Sequence, residues 1–133
     1  METNYSVIVE EFAEKHYIKS FHKKYKNAWD VTLRSIIAEF ERIDNLLEKE
    51  RADLITSIDD IKIVKTSFKV AGTKESAKTS GNRCIILVDD KIKTVSVLLV
   101  YTKTDLPSVN ETVEWKKIIL NNYPELKKYL SVN

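Results

Sequence analysis

Residues 83–101, RCIILVDDKIKTVSVLLVY, consist of two apolar segments joined by a short polar stretch. The first segment runs from Arg83 to Val88 and the second from Thr94 to Tyr101. Both are apolar at consecutive positions, a pattern that is typical of strands buried on both faces. The stretch from Asp89 to Lys93 has the composition of a tight turn. We therefore predict a β-hairpin at the centre of a sheet.

The segment before this hairpin has a period of two, which indicates a third strand from Ile61 to Val70. One face of that strand would carry Val64, Thr66, Phe68 and Val70, and the other Ile63, Lys65, Ser67 and Lys69. We expect the lysines of the second face to point to solvent. The polar segment from Ala71 to Ser80 would form a long connection to the hairpin.

Two helices are predicted before these strands. Between Phe12 and Tyr25, apolar residues recur at helical spacing while the lysines fall on the other side. A second run with helical periodicity extends to about Lys49, and Asp30 is its candidate N-cap. Two helices with a short connection should pack as an antiparallel hairpin.

One further strand and one further helix are predicted near the two ends of the sequence. The strand covers Tyr5 to Glu10, which is rich in β-branched residues. The helix would begin at a capping box formed by Ser108 and Glu111 and end before Tyr123-Pro124. The inner face of this helix would include Val109, Val113, the stem of Lys117 and Leu120.

The resulting order, β-α-α-β-β-β-α, predicts an α+β fold with an antiparallel sheet and the helical hairpin packed on one face. A chain of 133 residues with 43% hydrophobic and 32% charged residues fits one folded domain, residues 1–133. Two glycines in the whole chain exclude a glycine-rich nucleotide-binding loop.

The sequence predicts no metal, no cofactor and no membrane segment. His16 and His22 lack the i, i+4 spacing of helical zinc ligands, and Cys84 has no second cysteine to pair with. In its strand Cys84 would share a face with apolar residues, so we expect it to be buried and unreactive. The sequence also lacks a basic leader and a long apolar segment, which favours a cytoplasmic location.

The middle of the chain is basic. Residues 62–105 carry nine Lys/Arg against four Asp/Glu, although the whole chain has a formal net charge of +2. The densest part contains Lys62, Lys65, Lys69, Lys74, Lys78 and Arg83. A row of cations on one surface would bind a polyanion such as a nucleic acid. The alternative is that these lysines are solvated, or that they prevent sheets from pairing edge to edge.

Residues 79–106, TSGNRCIILVDDKIKTVSVLLVYTKTDL, resemble the RelE/HigB branch of the RelE/ParE toxin superfamily. The resemblance rests on a Gly-x-Arg motif at the start of a strand, an acidic hairpin turn, and an apolar strand that ends in Tyr-x-Lys-x-Asp before a helix. The family has the same order of helices and strands. Thr104 stands where the family has a second arginine, and Asn110 stands near the position of its C-terminal aromatic residue.

The resemblance implies the toxin of a type II toxin–antitoxin system, an mRNA endonuclease that acts on mRNA in the ribosome and inhibits translation. Such enzymes use the ribose 2′-OH as the nucleophile and need no metal. Arg83 matches the arginine of the Gly-x-Arg motif, and Lys65 and Lys69 lie on the strand that supplies lysines in the family, so these three are the candidate catalytic residues. The candidate RNA or ribosome contacts are Lys62, Lys74, Lys78 and Lys103. The expected partners are mRNA on the ribosome and a cognate antitoxin.

Two other functions are compatible with the same fold. One is that of a ParE-like inhibitor of DNA gyrase, and the other is that of an RNA-binding or protein-binding module without catalytic activity. The sequence leads us to expect that Arg83→Ala would abolish toxicity without affecting folding, because Arg83 begins a strand and should contribute little packing.

Overall fold

The computed structural model describes residues 4–106 and 110–131, which form a five-stranded sheet with helices on both faces. The strands are β1 (Ser6–Val9), β2 (Ala52–Ile58), β3 (Ile61–Ser67), β4 (Asn82–Asp89) and β5 (Thr94–Thr102). The α-helices are α1 (Glu11–Ala13), α2 (Lys19–Tyr25), α3 (Asn27–Glu41), α4 (Ile43–Leu46) and α5 (Glu111–Asn122). A π-helical segment, Glu14–Ile18, connects α1 to α2, and 3-10 helices cover Lys103–Asp105 and Pro124–Lys128.

The strand order is β1-β5-β4-β3-β2, so the predicted hairpin β4–β5 lies inside the sheet. The predicted α+β class is confirmed. The prediction of an antiparallel sheet is wrong for one pair, because β1 runs parallel to β5 with Ser6 opposite Thr94. No tight turn joins β1 to a neighbouring strand, so the sequence around β1 does not fix its partner or its register. Long-range packing determines both.

Strand β2 was not predicted. The helix expected to reach Lys49 is interrupted at Arg42 and continues only as the short α4, after which β2 begins at Ala52. β2 lies at the edge of the sheet and exposes Leu54 and Ile58, so it lacks the alternation of a half-buried strand. A register shift between Leu54 and Thr56 in the β2–β3 pair disturbs the period further.

The helical hairpin packs on one face of the sheet, as predicted. Phe21 of α2 and Trp29 and Phe40 of α3 are buried there with Val64 and Val97 of the sheet. The second of these helices begins at Asn27, after a left-handed residue at Lys26, so Asp30 lies in its first turn and is not its N-cap.

Helix α5 covers the other face, which therefore is not the solvent-exposed face that was expected. Trp115 and Ile119 are fully buried against this face, whereas Lys117 is exposed. The predicted inner face is therefore wrong for Lys117, whereas Leu120 packs against this apolar cluster as predicted. The predicted capping residue Ser108 and Val109 lie outside the described residues. Asn110 is the N-cap, and its side chain accepts a hydrogen bond from the backbone N–H of Val113.

The C-terminal part packs onto the same face. Helix α5 ends before Tyr123-Pro124, as predicted, and Leu126 and Leu130 are buried in the apolar cluster that contains Trp115. Among residues 4–106 and 110–131, no helix is both long and apolar enough to cross a membrane.

Candidate functional site

Polar side chains converge where β3 and β5 end and β4 begins, on the face that α5 covers. Lys65 of β3 lies in register with Ile85 of β4, and two positions further on Arg83 lies opposite Tyr101. These residues share one face because side chains on a strand alternate between faces with a period of two. The N-terminus of α5 places Glu111 over this end of the sheet.

Glu111 is the centre of this cluster. The ammonium of Lys65 lies 3.8 Å from Glu111 Oε2, and that of Lys103 lies 3.7 Å from Oε1. The side chains of Lys65 and Glu111 are 19% and 21% exposed, whereas Lys103 is 52% exposed. Two ammonium groups around one carboxylate leave a net positive charge. Lys103, the more exposed of the two lysines, presents this charge to solvent. We call Lys65, Tyr101, Lys103 and Glu111 the Glu111 cluster.

Tyr101 of β5 forms a hydrogen bond with the carboxylate of Glu111. Its ring is fully buried, and its hydroxyl donates a 2.5 Å hydrogen bond to Glu111 Oε2. Burial, together with this hydrogen bond and the charge of Glu111, raises the pKa of Tyr101 well above its ordinary value of 10.0. The phenol therefore stays protonated at neutral pH and acts as a fixed donor to Glu111.

Arg83 lies beside the cluster, but its guanidinium is bonded to the protein backbone. It donates to the carbonyl oxygens of Asn82 at 2.9 Å and Lys78 at 3.0 Å, and its side chain is buried. The residue thus fixes the connection before β4, and the expectation that it contributes little packing is wrong. Its charge still acts on Tyr101 and opposes the rise of that residue's pKa.

The cations predicted to share one surface do not all meet. Lys65, Lys103 and Arg83 lie at the same end of the sheet. Lys62 lies at the other end of β3, opposite Val88, where it forms an ion pair with Asp90. The register separates Lys62 from Ser67, the partner of Arg83, by about 16 Å at roughly 3.3 Å per residue.

Lys69 and the loop lysines also lie apart from the cluster. Lys69 follows the end of β3 and lines a groove with residues of α3 and with Arg51. Lys74 and Lys78 are exposed on the connection between β3 and β4. The expectation of one row of lysines on a solvent-exposed strand is therefore wrong, because Lys65 is largely covered and ion-paired. The catalytic and RNA-binding roles assigned to all these residues stay predictions.

Sequence reasoning missed Glu111 and Tyr101 as members of a site. Glu111 was interpreted as part of a helix cap, and Tyr101 as the end of an apolar strand. The signal available was a tyrosine and a lysine at alternate positions, followed by an acidic residue at a helix N-terminus. No local pattern shows that this acidic side chain folds back over the strand.

The other groups considered as reactive carry no site. Cys84 is buried, and burial raises the pKa of its thiol well above the ordinary value of 9.0, which agrees with the predicted structural role. In the part of the chain that the structure describes, no group of three His, Cys, Asp or Glu side chains is arranged to hold a metal ion.

Comparison with known proteins gives one structural similarity. No protein-family model matches the chain, and no curated protein matches it. Among solved structures, the archaeal RelE–RelB complex from Pyrococcus horikoshii OT3 is similar, with 14% sequence identity and a TM-score of 0.43. The similarity covers 75% of this chain and 96% of that chain. At this identity and this TM-score, nothing about activity, substrate or partners follows for the present chain.

Proposed function

We propose that this chain is the toxin of a type II toxin–antitoxin system and cleaves mRNA on the ribosome without a metal ion. Two observations support the proposal: residues 79–106 resemble the RelE/HigB branch, and the Glu111 cluster combines a carboxylate with cations at one end of the sheet. The cluster carries the argument, because it supplies the groups that RNA cleavage by an internal nucleophile requires.

The proposed reaction uses the substrate's own 2′-OH. Glu111 accepts the proton of this hydroxyl as its oxygen forms a bond to the adjacent phosphorus. The ammonium groups of Lys65 and Lys103 stabilise the negative charge that develops on the phosphoryl oxygens. The bond from phosphorus to the 5′-oxygen breaks, and that oxygen takes a proton from Lys103. The products are a 2′,3′-cyclic phosphate and a 5′-hydroxyl end.

The residues around the cluster have supporting roles. Tyr101 is buried and positions Glu111, so it is not a catalytic residue. Arg83 contributes positive potential and holds the neighbouring connection, while Lys69, Lys74 and Lys78 are proposed contacts to RNA or the ribosome. Lys62 is proposed as a more distant contact, because it lies at the other end of β3.

The proposed partners follow from this activity. An endonuclease that acts on translated mRNA works in the cytoplasm and must be neutralised in the cell that makes it. We propose a cognate antitoxin that covers the exposed Lys103 and the loop lysines with acidic side chains. An acidic or partly disordered antitoxin fits this surface best, because it can wrap around scattered cations.

One observation favours a second function, that of a non-catalytic RNA-binding or protein-binding module. Arg83 already donates to three backbone carbonyl oxygens, and Lys65 and Lys103 share one carboxylate, so each cation has a partner within the protein. In that case the Glu111 cluster would stabilise the fold, and expression of the protein would leave mRNA intact.

The test is inducible expression followed by primer-extension mapping of cellular transcripts. We expect growth arrest and new 5′ ends within translated codons for the wild-type protein, and neither for Glu111→Gln. The matched control is Glu114→Gln, one turn further along α5, which removes the same charge outside the cluster and should behave as the wild type. Growth arrest with intact mRNA and broken DNA would instead indicate a gyrase inhibitor. A folded Glu111→Gln protein that still cuts mRNA would refute the assigned base.

A further inference from the structure

A groove lies on the other face of the same sheet end, between the N-terminal helices and the end of β5. Its volume is 350 Å³, at the lower end of the roughly 300–1,000 Å³ that is typical of small-ligand sites. Its lining includes Tyr17, Ser20, Lys24, Tyr25, Thr102 and Thr104. Thr102 and Thr104 flank Lys103, a member of the Glu111 cluster, so the groove and the cluster share this part of the chain.

The helix that forms one wall of the groove is the most basic segment of the chain. Residues 15–29 contain five lysines and no aspartate or glutamate. These exposed lysines are Lys15, Lys19, Lys23, Lys24 and Lys26. Lys15 forms an ion pair with Glu11, but within residues 4–106 and 110–131 no carboxylate lies at ion-pair distance from the other four. Of these lysines Lys24 lines the groove, as does Asp105, whereas Lys19 and Lys23 line a different groove. The helix as a whole carries an excess of positive charge.

The groove also contains a fixed aromatic ring beside a cation. The ring of Tyr25 stacks on that of Phe21 at 6.2 Å with an interplanar angle of 27°, and Phe21 packs 4.8 Å from the buried Trp29. The ammonium of Lys24 lies 5.2 Å from the centre of the Tyr25 ring. Sites for single-stranded nucleic acid combine such aromatic platforms for bases with lysines for the backbone.

The π-helical segment shapes the same wall. Within Glu14–Ile18 the backbone N–H of Lys19 donates to the carbonyl of Glu14, five residues earlier, and His16 and Tyr17 from this segment line the groove. A π turn inserts one residue into a helix and so changes which side chains face a given direction, and such turns are frequent at functional sites. The π-helical segment is thus an independent observation that points to a functional role for this wall of the groove.

We propose that the groove binds a nucleobase of single-stranded RNA next to the point where the Glu111 cluster acts, with Lys24 contacting the adjoining phosphate. The inference rests on the proposed function, since it takes the ligand to be the RNA substrate. An acidic protein segment would use the lysines but would gain little from the aromatic platform. The proposal implies that the substrate must be unpaired where it crosses from Lys103 to Tyr25.

The test measures binding separately from cleavage, with a fluorescein-labelled single-stranded RNA in which every 2′-OH is methylated so that it cannot be cut. Loss of the stacking platform in Tyr25→Leu should weaken binding roughly fivefold to a hundredfold, while Tyr25→Phe keeps the ring and should bind as the wild type. In Lys24→Gln the slope of log affinity against log salt should fall by about 0.7. The charge-matched control Lys127→Gln, on the C-terminal 3-10 helix, should leave binding unchanged.

Competition experiments identify the ligand class, and thermal melting confirms that each variant is folded. Unlabelled single-stranded RNA should displace the probe at much lower concentration than duplex RNA or polyglutamate. The proposal is overturned if folded groove variants bind like the wild type, if duplex RNA competes equally, or if polyglutamate competes equally. Binding that depends on Tyr25 in a protein that does not cut mRNA would support the groove and contradict the endonuclease activity, so the two proposals fail separately.

Discussion

The hydroxyl of Tyr5 donates a 2.7 Å hydrogen bond to Oδ1 of Asp90, a residue 85 positions later in the chain. This bond joins the residue before β1 to the turn between β4 and β5, where Lys62 of β3 also pairs with Asp90. Three parts of the chain thus meet at one carboxylate, at the end of the sheet opposite the Glu111 cluster.

Replacing Tyr5 by Phe should destabilise the protein by about 1.5–3 kcal/mol, the usual range for a hydrogen bond to a charged group. The ring of Phe preserves the buried apolar contacts of Tyr5. The decrease in the free energy of unfolding therefore measures the contribution of the hydroxyl alone. Urea unfolding measures the change. Tyr129→Phe, on the other face, is the control and should have little effect.

Stability should fall in acid partly because of Asp90. Burial alone raises the pKa of this carboxyl, but the hydrogen bonds from Lys62 and Tyr5 outweigh burial and lower the pKa below 3.8. A carboxyl whose pKa is lower in the folded state stabilises the fold above its unfolded pKa and loses that contribution as the pH falls through the folded pKa. Asp90→Asn should therefore be less stable than the wild type at neutral pH, and this difference should begin to shrink below about pH 4 and disappear below the folded pKa of Asp90. If the difference in stability between Asp90→Asn and the wild type stayed constant from neutral pH into acid, the proposed contribution of the Asp90 carboxylate would be contradicted.

Under the proposed mechanism, Tyr101→Phe should reduce cleavage while leaving the affinity for RNA unchanged, because its buried hydroxyl bonds Glu111 rather than the RNA. We expect a lower kcat with an unchanged KM, and a loss of about 1.5–3 kcal/mol in the free energy of unfolding. Single-turnover cleavage and urea unfolding measure the two effects. An equal rise in KM would show that the hydroxyl contributes to substrate binding.

Arg83→Ala should destabilise the connection between β3 and β4 rather than remove a surface charge alone. Its loss leaves the carbonyl oxygen of Lys78 without this donor, at a cost of about 1–3 kcal/mol where that oxygen stays buried, whereas the carbonyl oxygen of Asn82 keeps its hydrogen bond from the backbone N–H of Phe68. Limited proteolysis should then cut residues 71–81 faster. Lys78→Ala removes an exposed cation from the same connection and serves as the control. An Arg83→Ala protein as protease-resistant as the wild type would contradict the role of Arg83 in holding this connection.

The parts of the fold that could be predicted from the sequence are those encoded by local patterns. The β4–β5 hairpin follows from two apolar runs and a turn, and the α2–α3 hairpin follows from helical periodicity. Strand β2 could not be predicted, because an edge strand with exposed Leu54 and Ile58 lacks a clear period. The parallel pairing of β1 with β5 depends on long-range closure and leaves no local sign.

The candidate site was predictable only in part for a related reason. A basic region around Lys65, Arg83 and Lys103 is visible in the sequence, and these three residues do lie at one end of the sheet. The register of β3 decides that Lys62 lies elsewhere, and the position of α5 decides that Lys65 is covered. The register of β3 and the position of α5 cannot be derived from composition. The central position of Glu111 among these cations depends on both.

The pairing of β1 with β5 also has a consequence for biosynthesis. As the chain leaves the ribosome, β1 emerges first, yet its neighbour in the sheet is the last strand to be made. Strand β1 therefore has no hydrogen-bonded partner in the sheet until Thr94–Thr102 has been translated. A nascent chain cannot complete this sheet before β5 has left the ribosome.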